Sequence, residues 1–260
     1  MAGIFDNVID LSPVKTTWKI KVKIIRLWIS VGDIESIEML LLDSNGDMIH
    51  ATVNEDVIPI FESFFEEDDS KIFINFSLSQ SCGSYRLTKH PLKNWFQATT
   101  RVRFCDDLPY KIDGFTPPIT DCNFLCCARY MDILRGLSHP KFCVDLGGAM
   151  VEVGVIEDIQ EIQGNKIFAN NQIRIRFSMI DTNLAQIRCV VYGSVAEKLY
   201  QHRIASNANV LICVLKLWRI ERANGRFRHL TTVEGCSDIL FNSEISQIKY
   251  YKSMIPFRGF

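Results

Sequence analysis

The chain lacks any uncharged apolar run of the ~18 residues that a membrane-crossing helix requires, so nothing in it reads as a helical membrane span. It has almost no net charge, 29 Lys and Arg standing against 30 Asp and Glu. A uniform attraction to a polyanion is thereby excluded, and any such attraction must come from local stripes. Met1-Ala2-Gly3-Ile4-Phe5-Asp6 has no basic segment leading into a long apolar stretch, so a secretory leader is not predicted and an intracellular setting is expected. Also missing is a paired C-x2-C. The nine cysteines are odd in number and scattered, and Cys189 and Cys213 fall within apolar strand patterns, which favours reduced, buried thiols over a disulfide framework. Cys122, Cys126, Cys127 and Cys143 form the tightest group, a spacing that suits thiols around a helix better than a zinc site. The five histidines and nine cysteines make no triad or metal-centre spacing, so neither catalysis nor a cofactor is predicted.

What the chain does have is a duplication. Ile37 to Val53 aligns without a gap, at a shift of 138 residues, with Ile175 to Val191. Each copy is an apolar strand, an Asp-x-Asn turn and a second alternating strand, the pattern of a β-hairpin. A unit of this size occurring twice points to two copies of one small domain. The length of 260 residues and the 47% hydrophobic content are enough for two cores, at roughly 100 to 200 residues per domain.

Before the first hairpin, Ile20, Val22 and Ile24 alternate with Lys19, Lys21 and Lys23, so the isoleucines and valine face a core and the lysines face outward. Residues 1 to 17 are expected to form an arm of modest order. After the hairpin, Asp56 is placed to cap a short helix with Pro59 in its first turn and an apolar stripe of Val57, Ile60, Phe61 and Phe64. A strand through Ile72, Ile74, Phe76 and Leu78 then turns at Ser81 to Ser84 into Tyr85-Arg86-Leu87. Pro109, Gly114, Pro117 and Pro118 mark a linker, and Asn123 is placed to cap a helix from Phe124 to Leu137, with Cys127, Tyr130, Met131 and Leu134 on one face. The second copy runs from Val144 through Gly164-Asn165 to its hairpin, a capping box at Ser194 to Glu197, a strand from Asn209 to Leu217 and a turn at Asn224-Gly225. The shift changes from 138 to 142 where Gly83-Ser84-Tyr85-Arg86 meets Gly225-Arg226-Phe227-Arg228, which predicts a longer hairpin loop in the second copy.

Five strands with a helix after the third is the order of an OB-fold, whose groove crosses strands two and three. The predicted fold is therefore all-β with short helices: an OB domain over 16–105, a helical linker over 106–138, a second OB domain over 139–245 and a tail over 246–260. The outward residues of the hairpins are then groove candidates. Arg174, Arg176 and Arg188 form a stripe in the second copy; Lys21 and Lys23 with Arg26 and His50 form one in the first. Tyr85 and Phe227 each follow the hairpin glycine beside Arg86 or Arg228. Trp28 and Trp218 end strands, where each can fill the core or rim or offer a stacking face. Cations for phosphates and aromatics for bases are what single-stranded nucleic acid requires, and a wet strand face carries charges in any case. The basic stripe, glycine, aromatic and arginine recur in both copies.

These residues carry a family resemblance. Trp18-x-Ile20-x-Val22-Lys23-Ile24-Ile25-Arg26-Leu27-Trp28, Asp43-x-x-Gly46-x-x-Ile49-His50-Ala51-Thr52 and Asn75-Phe76 followed by Gly83-x-Tyr85-Arg86 are similar to the large subunit of replication protein A, particularly its plant-type members, over residues 16 to 245. The resemblance implies sequence-tolerant binding of single-stranded DNA, without catalysis, in DNA replication, repair or recombination, and with it a nuclear location and protein partners from that machinery. It implies a base-stacking role for Tyr192 at the end of the third strand, where the first copy has Asn54; Tyr85 and Phe227 match the family's second stacking position. His50 stands where the family often has Arg. The second domain is therefore expected to contribute at least as much as the first. The family's zinc-bearing third domain has no counterpart in these residues, so trimer assembly is not expected. Single-stranded RNA as the ligand, or a protein-interaction adaptor with peptide-binding grooves, are the competing readings.

Overall fold

A computed structural model of the chain describes residues 5–15, 17–31, 34–105, 125–163, 166–206, 210–241 and 244–254. Residues 106–124 of the predicted linker, with the Asn123 cap and Cys122, and the Gly164-Asn165 loop lie outside these residues. Contacts divide the chain into two units, Met1–Phe124 and Leu125–Phe260.

In the first unit, β1 (Lys19–Val31), β2 (Glu35–Leu42) and β3 (Met48–Asn54) form an antiparallel meander. The hairpin turn is fixed by Asp43, whose carboxylate accepts from the amides of Asn45 (2.9 Å) and Asp47 (3.0 Å); Gly46 takes the left-handed conformation, at φ 88°. A short helix, α1 (Ile58–Phe61), flanked by 3-10 turns, leads to β4 (Ser70–Ile74), which pairs with β1. At Asn75 the backbone turns left-handed, at φ 61°, and bends the chain into β5 (Ser77–Gln80), which pairs with β6 (Leu92–Trp95). β6 closes the circuit by lying parallel to β3, and β7 (Arg101–Phe104) pairs antiparallel with β4. Counting β4 and β5 as one bent strand, this is a five-stranded barrel of OB type. Its interior holds Ile20, Val22, Ile24, Met39, Leu41, Ile49, Ala51, Val53 and Phe73, all at 0% exposure.

The second unit repeats the plan. After α2 (Tyr130–Arg135), β8 (Val144–Val151) and β9 (Ile156–Gln163) together take the place of β1, and both pair with β10 (Lys166–Ile180). β10 and β11 (Gln186–Tyr192) are the second hairpin, with Asp181 receiving the amides of Asn183 and Ala185 at 2.9 Å as Asp43 does in the first. Gly193 (φ 58°) turns β11 into α3 (Gly193–Ala205). β12 (Leu211–Ala223) runs along β8, bends at Leu217 (φ 59°) and pairs with β13 (Arg226–Thr231), which lies parallel to β11. β14 (Asp238–Leu240) pairs with β12, and α4 (Ser246–Met254) packs on β8 and β12 through Ile248.

The physics of packing overturns several sequence expectations. Val8 and Leu11 are buried at 0% and 4%, and the Val8 amide donates to Asp43, so this part of the N-terminal arm belongs to the core. The first helix turns Ile58, Phe61 and Phe65 inward and leaves Ile60 and Phe64 46% and 36% exposed, because the 3-10 turns rotate the predicted stripe. Ser194 lies inside α3, whose N-cap is Tyr192 without a side-chain cap, so the capping box does not form. The linker helix has its described turns at Tyr130–Arg135 and buries Tyr130 and Ile133, while Met131 and Leu134 point outward. The two bends at Asn75 and Leu217, 142 residues apart, move the extra residues of the second unit to its longer helix. The hairpin loop is the longer one in the first unit, residues 81–91, and only Asn224-Gly225 in the second. The fifth strand of the first unit is accordingly β6, with Tyr85 to Leu87 in the loop before it.

Candidate nucleic-acid interface

In the second unit the period of two along β10 sends Ile175, Phe177 and Met179 into the barrel core and leaves Arg174, Arg176 and Ser178 on its other face, Ser178 at 5% exposure. Register places Arg174 opposite Tyr192, Arg176 opposite Val190 and Ser178 opposite Arg188, so six outward positions share one face. β13, beside β11, brings Arg228 and His229 to the rim of the same depression, which has a volume of about 390 Å³. Glu157 on β9 lies opposite Arg174 and forms ion pairs with both Arg174 and Arg176. The hydrogen bond from Arg174 is the main reason the Glu157 carboxyl titrates below its ordinary range; Arg174 is raised in turn by Glu157 and, secondarily, by the Tyr192 hydroxyl. Burial, reinforced by Arg228, Arg188 and Arg219 against the opposing Glu221, lowers the pKa of His229. Among the described residues no salt bridge involves Arg188 or Arg228. Gly154 borders the depression; its amide donates to the Arg176 carbonyl at 2.7 Å, and a Cβ would stand 3.0 Å from that oxygen. The face offers cations for an anionic ligand and, in Tyr192, a half-exposed ring.

The matching face of the first unit has different chemistry. Two rows cross four strands: Trp28, Glu38, Thr52 and Trp95 in one, Arg26, Leu40, His50 and Lys93 in the next. Glu38 stands where the second unit has Arg176. Glu38 is 8% exposed, and its carboxylate takes hydrogen bonds from Thr52 (2.7 Å) and Ser36 (3.0 Å), pairs with the Lys93 ammonium at 3.1 Å and lies 2.7 Å from the His50 imidazole. Burial opposes its ionisation, but the His50 hydrogen bond and the Lys93 charge prevail and hold its pKa at about 2. Burial lowers the pKa of His50. The imidazole stacks on Trp28 at 5.6 Å, and the Lys93 ammonium lies 4.8 Å from the centre of the Trp95 ring.

The structure therefore gathers Arg174, Arg176, Arg188, Tyr192 and Arg228 on one face, and Arg26, Trp28 and His50 on another. It does not bring the remaining candidates to those groups. Lys21 lies opposite Ile72 on the β1–β4 side, and Lys23, opposite Leu42 and Ser70, contacts Asp68 at 3.5 Å. Arg26, at the end of its row, pairs with Glu67 at 3.2 Å. Tyr85 and Arg86 lie in the 81–91 loop, where Arg86 donates to the Ser81 carbonyl at 3.0 Å. Trp218 is not at a rim: it is 0% exposed, donates its indole N–H to the Asp238 carbonyl and meets Phe177 edge-on. It follows the left-handed bend at Leu217, which turns its side chain inward as the bend at Asn75 does for Phe76. Phe227 packs against the core of the second unit. Sequence reasoning missed Glu38, Lys93, Trp95 and His229. Glu38 was readable from the 138-residue shift that pairs it with Arg176. Lys93 and Trp95 were hidden because the inward position between them is the polar Asn94.

A family model described as a domain of unknown function, DUF223, matches residues 9–117. No curated protein matches the sequence. Among solved structures, a replication protein A heterotrimer bound to ssDNA aligns over 96% of this chain and 54% of that one, with 16% identity and a TM-score of 0.59. This chain thus spans about half the length of that relative. DNA-binding domain A of S. cerevisiae replication protein A aligns over 40% of this chain and 95% of its own, with 20% identity and a TM-score of 0.33. Fission yeast Pot1 with ssDNA aligns over 94% and 90%, with 9% identity and a TM-score of 0.35. At such identities the first likeness establishes the fold: two tandem OB barrels.

Proposed function

We propose that this chain is a non-catalytic single-stranded DNA-binding protein, with OB modules over 16–105 and 139–245. The observation that carries the proposal is the outward face of the second hairpin, where Arg174, Arg176 and Arg188 flank Tyr192 across two paired strands. Guanidinium groups supply phosphate contacts and a phenol ring supplies a stacking platform, the two components that sequence-tolerant single-strand binding combines. A role in DNA replication, repair or recombination, in the nucleus and alongside proteins of that machinery, extends the same reading. Binding of a ~20-nucleotide oligomer, followed by anisotropy across a salt series, tests it. Tyr192→Ala is expected to cost about 1–3 kcal/mol with little change in salt slope, and Arg176→Ala to reduce the slope by about 0.7. Absence of binding at low salt, or both substitutions without effect in the folded protein, would remove the proposal. Oligo-dT, oligo-U and duplex DNA compared at one salt concentration separate DNA from RNA.

One observation favours a second reading, an adaptor for acidic peptides: Glu157 already bridges Arg174 and Arg176, so the face accepts carboxylates. Competition decides between them. A poly-Glu peptide that displaces oligo-dT only at large excess supports the nucleic-acid reading, and tight peptide binding without oligomer binding supports the adaptor.

A further inference from the structure

The two hairpin faces are related by the duplication, yet the central outward position is Arg176 in one and Glu38 in the other. Resting on the single-strand-binding reading, we infer that the first unit's face is a nucleobase subsite, built from Trp28 and Trp95, in which Glu38 holds Lys93 away from phosphate. Three observations carry this.

First, register puts Trp28, Glu38, Thr52 and Trp95 in one row across β1, β2, β3 and β6, so the backbones of the two tryptophans are three strand spacings apart, roughly 14 Å along the sheet. Both are partly exposed, unlike the core Trp218. Second, the Lys93 ammonium and the His50 imidazole beside them are already engaged. The Glu38 carboxylate contacts Lys93 at 3.1 Å and His50 at 2.7 Å, and Thr52 and Ser36 fix it in place. A phosphate that approached Lys93 would have to compete with a carboxylate 8% exposed and anchored by four neighbours. Third, the side chains that Glu38 holds also touch the two rings: His50 stacks on Trp28 at 5.6 Å and the Lys93 ammonium lies 4.8 Å from the centre of the Trp95 ring, which orients each indole while both stay partly exposed. The equivalent row of the second unit is Arg176, Val190 and Thr231, without a ring; the acid that meets Arg176 is Glu157, whose side chain is 31% exposed against 10% for Glu38, and Arg188 and Arg228 beside it have no salt bridge among the described residues. The two modules thus divide the ligand, bases on the first and phosphates on the second. Glu38 is the specificity-determining residue of that division.

The test uses the full chain, oligo-dT of ~20 nucleotides and an abasic oligomer of the same length. Trp28→Ala and Trp95→Ala are each expected to weaken oligo-dT binding about 5- to 150-fold with an unchanged salt slope, and to leave abasic-oligomer binding as in the wild type. Glu38→Gln, which keeps an acceptor for Thr52 but frees Lys93, is expected to steepen the log–log salt slope by about 0.7 and to strengthen binding at low salt. The double substitution Glu38→Gln/Lys93→Gln is expected to restore the wild-type slope. An unchanged slope in folded Glu38→Gln protein overturns the inference. If that variant fails to fold, the tryptophan pair decides alone, and oligo-dT binding unaffected by either change overturns it. Loss of the slope in Arg176→Ala combined with null results at Trp28, Trp95 and Glu38 would remove only this inference; a wild-type protein that binds no single strand would remove the functional reading itself.

Discussion

Replacing Asn94 with leucine is expected to stabilise the first unit. Asn94 sits at 0% exposure inside the barrel, on β6 between β3 and β5, opposite Ala51 and Leu78. Neither its amide nitrogen nor its oxygen has a hydrogen-bond partner among the described residues. The second unit solves the same position with Leu230, also 0% exposed and opposite Cys189 and Ile220. An unsatisfied buried polar group costs about 1–3 kcal/mol. Leucine removes that cost, and the shape mismatch of an unplanned core substitution takes back about 1 kcal/mol, so the net gain is up to about 2 kcal/mol. With an m-value of about 2 kcal/mol/M in urea, the midpoint should rise by up to roughly 1 M. Two barrels need not unfold together, so the probe must be local. Trp18, Trp28 and Trp95 belong to the first unit and Trp218 is the sole tryptophan of the second; tryptophan fluorescence in a Trp218→Phe background therefore follows the first unit. A midpoint that falls, with the m-value unchanged, would refute the reasoning, because it would mean that the amide is satisfied in the folded protein.

Other outcomes follow from the same geometry. Phe61 meets Phe96 edge-on at 5.3 Å within a cluster that includes Phe65 and Phe73, so Phe61→Ala should cost about 3–5 kcal/mol, while Ile60→Ala on the exposed side should stay within about 0.5 kcal/mol; urea melts of the pair check both. Trp218→Ala should likewise remove about 3–5 kcal/mol from the second unit, read by circular dichroism, and at temperatures where it remains folded it should bind oligomers as the wild type does. Acid should loosen the first unit: Glu38, at about 2 when folded against 4.5 otherwise, contributes stability that is complete above pH 4.5 and lost as the pH falls towards 2, up to roughly 3 kcal/mol. His50, lowered by burial, acts in the same direction below its ordinary 6.5, since the unfolded chain takes up the proton first. Glu38→Gln should flatten the low-pH part of a stability–pH profile; an unaltered profile would contradict the assignment.

The hairpins were legible because their signals are local and redundant. Alternation, the Asp-x-Asn turn and the exact 138-residue shift all specify one register, and the faces of Arg174, Arg176 and Arg188 follow from it. The parts that resisted reading depend on backbone bends. Nothing local announces that Asn75 and Leu217 turn left-handed, yet those bends decide that Trp218 is core, that β4 and β5 are separate strands and that the longer hairpin loop belongs to the first unit. Asn94 concealed β6 by placing a polar residue inward, and with it the outward pair Lys93 and Trp95. The short first helix misled for a related reason: 3-10 turns shift the phase of the apolar stripe, so Ile60 and Phe64 exchange roles with Ile58 and Phe65.

The central claim is that the arginine face of the second unit holds phosphates. The salt dependence of oligo-dT binding, measured for the wild type and for Arg176→Ala/Arg188→Ala, tests it most directly. The account predicts a wild-type log–log slope steeper than about −2 and a loss of about 1.4 from that slope in the double variant, at roughly 0.7 per phosphate contact. Binding that is insensitive to salt, or a slope identical in the two proteins, would contradict it.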